Sequence, residues 1–362
     1  MTNTNQHGLL KRVLPFVFSA VLALAVAEGL SRALVPPRPP LRFQQDVDKL
    51  KQFRMTQFAE IIEADSEMFW RLAPGQTLAD DARPFPGLIS NGQGLREDHE
   101  IALQKPAGEV RILFVGDSCT FGFGLSYTDG FVNRVEASLN ARFPQVSWEC
   151  INAGVPGYSL FQGWRYLETR GFKLEPDLVV LNFGWNDMSQ WDGLSDPEHY
   201  AAMQASVPPA ALRWSRLCHL LWTAIHVPKS PASREATRAR LSPEEFRSVL
   251  TQVDEATTRH DADLMLLAWP LRWNVEQVDG ADKRSALQFE HYEFGRRAAS
   301  VASAEFPAVV DLVPVAQGLA EEHAVSNVFI DVGHATGLAN QAFADAIVQH
   351  LEPWLSRRVE TD

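Results

Sequence analysis

Arg111-Ile-Leu-Phe-Val-Gly-Asp-Ser-Cys-Thr-Phe-Gly122 is the stretch on which the reading of this chain turns. Val110 to Val115 is a near-continuous apolar run, the pattern of a strand buried on both faces, and it stops at Gly116-Asp117-Ser118. Open α/β sheets present reactive groups at the carboxyl ends of their strands, so Ser118 is a candidate nucleophile. A serine hydroxyl is weak alone. It needs a base to take its proton, a group to orient that base, and donors for the charge that develops on the attacked oxygen.

Downstream the chain alternates. Phe131, Val135, Leu139 and Phe143 recur at intervals of four and predict a helix with one buried face. Val146 to Ile151 reads as a second strand, followed by Asn152-Ala153-Gly154-Val155-Pro156-Gly157. Ser159 and Gln162 form a capping box for a helix that buries Trp164 and Leu167. Leu178 to Phe183 is a third strand, closed by Gly184-Trp185-Asn186-Asp187. An insertion over 188–241 then interrupts the pattern, with an amphipathic helix near Trp214 to Ile225 and a polar loop from Pro228 to Arg240. Ser242-Pro243-Glu244-Glu245 starts the next helix. A strand at Leu264 to Ala268, a helix over about Ser285 to Glu305, a strand at Val309 to Val313 and a last helix from Leu338 toward Leu355 complete the series. Strands alternating with helices predict an α/β protein, a three-layer α/β/α sandwich around a parallel sheet of about five strands, over residues 108–356.

Ahead of this domain lies a membrane-directed segment, residues 1–35. Lys11 and Arg12 precede an uncharged apolar run from Val13 to Ala27, which resumes past Glu28 and Arg32 as far as Val35. A spanning helix needs about 20 residues, so the segment crosses a bilayer only if Glu28 and Arg32, four apart, pair or reach the interface. Ala25-Val26-Ala27 also fits a signal-peptide cleavage pattern. Basic residues on the N-terminal side predict a single-pass anchor with that end in the cytoplasm and the remainder extracytoplasmic; the alternative is secretion after cleavage. Residues 36–107 read as a linker, stiffened by Pro36-Pro37-Arg38-Pro39-Pro40, and a preamble with helix-like polarity around Asp46 to Ala64 and turn-rich sequence thereafter.

The formal net charge of -12 argues against a nucleic-acid partner. Cys119, Cys150 and Cys218 are too few and too irregularly spaced for a disulfide framework, although an extracytoplasmic address leaves a Cys119–Cys150 bridge open. No spacing of Cys or His predicts a metal, and no cofactor is implied. The oligomeric state has no signal in the sequence.

The partners that Ser118 needs are present. Gly154 follows the second strand, where a backbone N–H can approach a substrate closely, and Asn186 follows the third with an amide that donates without titrating. Two histidines have a carboxylate three residues before them, in Asp196-Pro197-Glu198-His199 and Asp331-Val332-Gly333-His334. The first lies inside the insertion. The second follows the apolar Val328-Phe329-Ile330 and precedes the final helix, where a doubly wound sheet returns it to the end of the first strand, which makes Asp331 and His334 the expected pair.

Taken together, Gly116-Asp117-Ser118 with Thr120 and Gly122, Asn152-x-Gly154, Gly184-x-Asn186-Asp187 and Asp331-x-x-His334 resemble the four ordered blocks of the SGNH, or GDSL-type, hydrolase superfamily. The resemblance covers about Glu109 to Leu355, and the membrane segment with the approach from Asn91 to Arg96 looks like membrane-anchored bacterial members, which implies a bacterial inner-membrane anchor with the catalytic domain in the periplasm. It implies a flavodoxin-like fold and a serine esterase in which Ser118 is the nucleophile, His334 the base and Asp331 its orienter. It further implies an oxyanion hole made of the Ser118 N–H, the Gly154 N–H and Asn186. Asp117 reads as a turn or cap residue and Asp187 as a brace for the loop that aims Asn186. No Gly-x-Ser-x-Gly elbow is present.

Trp185, Trp191, Trp269 and Trp273 flank the ends of the third and fourth strands, where flat indoles suit the apolar faces of sugars or simply wall a pocket. A small-molecule or glycan ester is the expected substrate, with deacetylation of a cell-envelope or exported glycan as the leading expectation. An O-acyltransferase that discharges the same acyl-serine onto a polysaccharide is the alternative, and a catalytically inactive glycan-binding module is a third.

Overall fold

Ile112 and Phe114 point to one side of the first sheet strand and Leu113 and Val115 to the other, and all four are fully buried. A strand apolar on both faces has to lie between two helical layers. The computed structural model describes residues 4–34, 60–189, 194–226, 238–276 and 309–359. The expected helix from Ser285 to Glu305, the proline spacer and Trp191 lie outside them.

An N-terminal helix, α1 (Thr4–Leu34), precedes a hairpin of β1 (Ile62–Asp65) and β2 (Phe69–Leu72). The α/β part then runs β3 (Glu109–Gly116), α2 (Ser118–Phe121), α3 (Phe131–Arg142), β4 (Ser147–Gly154), α4 (Leu160–Thr169) and β5 (Leu178–Asn182). The insertion contributes α5 (Asp196–Ser206) and α6 (Arg216–His226). It is followed by α7 (Pro243–Arg259), β6 (Asp263–Ala268), β7 (Val309–Asp311), α8 (Val313–Glu322), the single turn α9 (Val325–Val328) and α10 (Gly337–Val359).

The five strands pair in the order β4-β3-β5-β6-β7, all parallel. Counted along the chain this is the 2-1-3-4-5 order of flavodoxin-like sheets, whose crevice opens where the winding direction reverses, beside the carboxyl end of β3. One core layer packs α4, α7 and the hairpin residues Phe69, Trp70 and Leu72 on Leu113, Val115, Val179 and Leu181. The other packs α3 and α10 on Ile112, Phe114, Leu178 and Val180. The three-layer sandwich and parallel sheet expected from the alternation are therefore present.

Local details differ from the sequence expectation. Ile62 to Asp65 is a strand, where helix-like polarity was expected to continue to Ala64. The Asp65 Oδ1 accepts the amides of Glu67 at 2.8 Å and Met68 at 3.1 Å, a turn that folds the chain back into β2. The last strand stops at Asp311, because its carboxylate takes the Val313 N–H at 3.0 Å and Pro314 favours the first turn of a helix. The second strand extends beyond Ile151 to Gly154 by pairing with β3 up to Gly116. Helix α5 in the insertion had no counterpart in the expectation. The capping boxes at Ser159 with Gln162 and Ser242 with Glu245 form as expected.

Candidate active site

Ser118 is the first residue of α2, one residue past the turn that ends β3. Asp117 caps this helix. Its Oδ1 accepts the Cys119 amide at 2.9 Å, and its Oδ2 accepts Asn186 Nδ2 at 2.9 Å. Asp117 thus ties the ends of β3 and β5 together across the sheet's reversal point. Burial pushes its pKa up, against the stabilising Cys119 amide and the nearby His334 charge.

The final loop brings in the other partners. Phe329 bridges Ala335, and the Ile330 N–H donates to the His334 carbonyl at 2.8 Å, which closes Asp331 to Gly333 into a tight turn. Asp331 Oδ1 accepts the amides of Gly333 and His334, both at 2.9 Å. That leaves Oδ2 for His334 Nδ1 at 2.7 Å, and His334 Nε2 lies 2.8 Å from Ser118 Oγ. Burial works against ionisation of Asp331, but the imidazole and the two amides outweigh it and hold the carboxyl at about 2. The imidazole stacks on Phe123 with ring centroids 4.4 Å apart. A carboxylate, an imidazole and a hydroxyl linked in series can draw the hydroxyl proton onto the ring while the carboxylate fixes the tautomer.

A cavity of about 300 Å³ opens over these groups, bordered by Asp117, Ser118, Trp185, Trp269, Asp331 and His334 among others. Trp185 is backed by Trp273, with centroids 6.1 Å apart. Trp269 is mostly buried and donates its indole N–H to the Gly333 carbonyl at 2.9 Å, so it braces the Asp331 turn as well as walling the cavity. Cys119 Sγ contacts the same carbonyl at 3.4 Å. Cys119 and Cys150 are both free thiols, each pushed well up by burial, and Cys150 belongs to the α3/α10 core layer.

Of the three expected oxyanion donors, the structure treats Gly154 differently from the others. Ser118 borders the cavity, and its N–H opens α2, where a helix offers no internal partner. Asn186 uses one amide hydrogen on Asp117 and keeps a second. Gly154 donates its N–H to Asn152 Oδ1 at 3.0 Å, and neither Gly154 nor Asn186 is among the residues lining the cavity. A β-carbon there would collide with Thr120 C and Phe121 N, so this glycine serves the close approach of β4 to α2.

Three further residues support the site, of which the sequence reading had singled out Asp187 as a brace for the Asn186 loop. Arg96, buried and directed from the preamble, donates to the carbonyls of Phe121, Gly122 (2.9 Å) and Leu125 (2.7 Å), fixing the segment that follows Ser118. Desolvation lowers its pKa to about 10. Asp187 accepts the amides of Leu160 at 2.7 Å and Gly184 at 2.9 Å and so shapes the Asn186 loop, while burial, opposed by the Leu160 amide, raises its pKa to about 7. Arg240 from the insertion donates to Asp196 Oδ2 at 2.8 Å, to Gln162 and to the Gly157 carbonyl at 2.6 Å. Its partners are up to 83 residues away, and only the Arg-bearing character of its loop hinted at it.

A flavodoxin-like sheet with a Gly-Asp-Ser turn at its reversal point and an Asp-x-x-His turn facing it defines a class of ester-cleaving α/β hydrolases. The model of the GDSL-like Lipase/Acylhydrolase family matches residues 114–320, and the chain belongs to that family of ester-hydrolysing enzymes. No curated protein matches it. Among solved structures it is similar to LAE5, an alpha/beta hydrolase enzyme from the metagenome of Lake Arreo, Spain, at 18% identity over 67% of this chain and 94% of that one, with a TM-score of 0.44. Axe2, an acetylxylan esterase from Geobacillus stearothermophilus, is 15% identical over 67% of this chain and 94% of its own, with a TM-score of 0.44. The acetyl xylan esterase AlAXEase is 16% identical over 66% of this chain and 98% of its own, with a TM-score of 0.43.

Proposed function

We propose that this protein is a membrane-anchored serine esterase that removes acetyl or similarly small acyl groups from a cell-envelope or exported glycan. The observation that carries the reading is the unbroken series from Asp331 through His334 to Ser118 Oγ, with contacts of 2.7 and 2.8 Å, opening directly into the cavity. In the proposed reaction Ser118 Oγ attacks the ester carbonyl while His334 Nε2 takes its proton. The Ser118 N–H and the second hydrogen of Asn186 Nδ2 receive the developing oxyanion. His334 then protonates the departing sugar oxygen, leaving an acyl-serine, and water activated by the same imidazole releases the acid.

The modest cavity favours a small acyl group, and the paired indoles of Trp185 and Trp273 beside it suit a sugar ring. The anchor is supported by Leu14–Leu34, a 21-residue stretch of mean hydropathy 1.9 inside α1. Its two charges meet the condition for spanning, since Arg32 Nε pairs with Glu28 Oε1 at 2.7 Å.

Trapping the acyl-enzyme with a panel of acyl donors tests the assignment, the expected adduct being on Ser118. The reading fails if the protein with Ser118 intact releases no acid from any acetylated glycan or small ester. Transfer to added oligosaccharide exceeding hydrolysis would make it an O-acyltransferase, and activity unaffected by Ser118→Ala would leave only a binding role for the cavity.

A further inference from the structure

Glu28 is a carboxylate within the apolar stretch Leu14–Leu34 of α1, where Arg32 is the other charge, and charges in such a setting persist where they have a partner. Its partner is the insertion. Ser215 Oγ and the amides of Arg216 and Leu217 all donate to the Glu28 carboxylate at 2.8 Å, so a residue of α1 caps the start of α6 from 187 to 189 residues away. Arg32, besides pairing with Glu28, donates to the Trp214 carbonyl at 2.6 Å. Helix α6 is therefore docked on the last two turns of α1.

That docking fixes a depth. Glu28 lies six residues before Leu34, the end of the apolar stretch, which at 1.5 Å per residue places the start of α6 about 9 Å inside it. This is the depth at which interfacial amphipathic helices rest, at the boundary of headgroups and acyl chains. The surface of α6 fits the same location. Trp214 is 72% exposed, Leu221 55% and Ile225 74%, and on α1 Leu30 and Leu34 are exposed as well. Leu221 and Ile225 are four apart and share a face. Indole rings favour this zone, and Arg213 next to Trp214 is exposed.

We propose that α6 and Trp214 lie in the bilayer interface beside the outer end of α1, so that the insertion is a second lipid-contacting element of the protein. The inference rests on the reading of α1 as a membrane span. The insertion is tied to the α/β part as well, because Trp222 of α6 donates to the Ala205 carbonyl at the end of α5, and Asp196 at the start of α5 holds Arg240 against the Gly157 carbonyl.

The test uses the full chain in nanodiscs of phosphatidylethanolamine and phosphatidylglycerol, with a photo-crosslinking amino acid introduced in turn at positions 22, 221, 225 and 103. The expected result is lipid adducts at 22, 221 and 225, and none at 103, where the exposed Leu103 belongs to the preamble. Adducts at 22 but at neither 221 nor 225 overturn the proposal while leaving the span intact. Adducts at 221 and 225 without any at 22 support the lipid-facing α6 and sink the span reading, and no adducts at the three positions sink both. Glu28→Ala, which removes the acceptor for the three donors at the start of α6 as well as for Arg32, is expected to lower the adduct yield at 221 about fivefold. It should leave the yield at 22 and the hydrolysis of a soluble ester unchanged; an unaltered yield at 221 overturns the seating role of Glu28.

Discussion

Asp196-Pro197-Glu198-His199 and Asp331-Val332-Gly333-His334 share one spacing and have opposite surroundings. The first opens an α-helix, with Glu198 Oε2 accepting the Ser195 amide at 2.8 Å, and its aspartate is wholly buried against Arg240 and the Ser159 hydroxyl. The second is a turn outside any helix, in which one carboxylate oxygen organises the backbone and the other meets the imidazole. An aspartate at a helix start, buried beside an arginine, welds elements together. An aspartate in a half-exposed turn, with its histidine aimed at a hydroxyl, is arranged for proton movement. The difference lies in the backbone that carries the pair and in the third residue each one meets.

The largest separation between the two pairs should come from Asp331→Asn, which keeps the turn's shape but removes the carboxylate that sets the imidazole tautomer. Esterase kcat is expected to fall by roughly ten-thousandfold with the melting temperature nearly unchanged. If kcat survives, Asp331 is only a turn residue. Asp196→Ala should behave in the reverse way. It leaves the buried Arg240 charge uncompensated, and denaturant unfolding should show a loss of about 3–5 kcal/mol, while kcat measured well below the transition changes far less than in the first variant.

A smaller effect tests what holds the functional turn. Trp269→Phe removes the donor to the Gly333 carbonyl and keeps the ring's bulk. A lost neutral hydrogen bond corresponds to a roughly fivefold drop in kcat, and no drop at all would reduce Trp269 to a cavity wall.

A last comparison is a matter of sign with pH. Asp331 is held at about 2, below its ordinary 3.8, so its contribution to stability is present above 3.8 and lost as pH falls through about 2. Asp187, beside the Asp196 pair, is raised from 3.8 to about 7 and binds its proton more tightly folded than unfolded. Its contribution is present below 3.8 and lost as pH rises through about 7. Unfolding free energy should therefore slope downward between these values, and Asp187→Asn, which mimics the neutral form, should flatten that slope. An unchanged slope would remove Asp187 as its origin.

Much of this was legible in the residues. Val110 to Val115 reads as a doubly buried strand because both of its faces are apolar, and Ser159 and Ser242 read as caps because cap chemistry is local. Ser118, Asp331 and His334 were legible since chemistry-bearing residue types stood at the ends of predicted strands and turns, and the structure joins them in one hydrogen-bonded series. The bracing bonds of Arg96, Arg240 and Trp269 were not legible, because each is made to a carbonyl distant in the chain, although Trp269 was readable as a pocket wall. The hairpin at Ile62 to Leu72 escaped for a related reason. Its strands are four residues each, too short for a period to emerge, and they are held by burial of Phe69 and Trp70 in the main core.

Periodicity, caps and turns act over a few residues, so they specify which elements form and which side chains end a strand. They do not specify which loop faces which. The two Asp-x-x-His spacings are equivalent as text, and the choice between them follows from the 2-1-3-4-5 strand order and the packing of α10 on α3, which set the Asp331 turn against the end of β3. The same holds for Gly154. Its small size is written in the chain, yet the need for it comes from the close approach of its backbone to Thr120 and Phe121, which exists only once β4 has paired with β3.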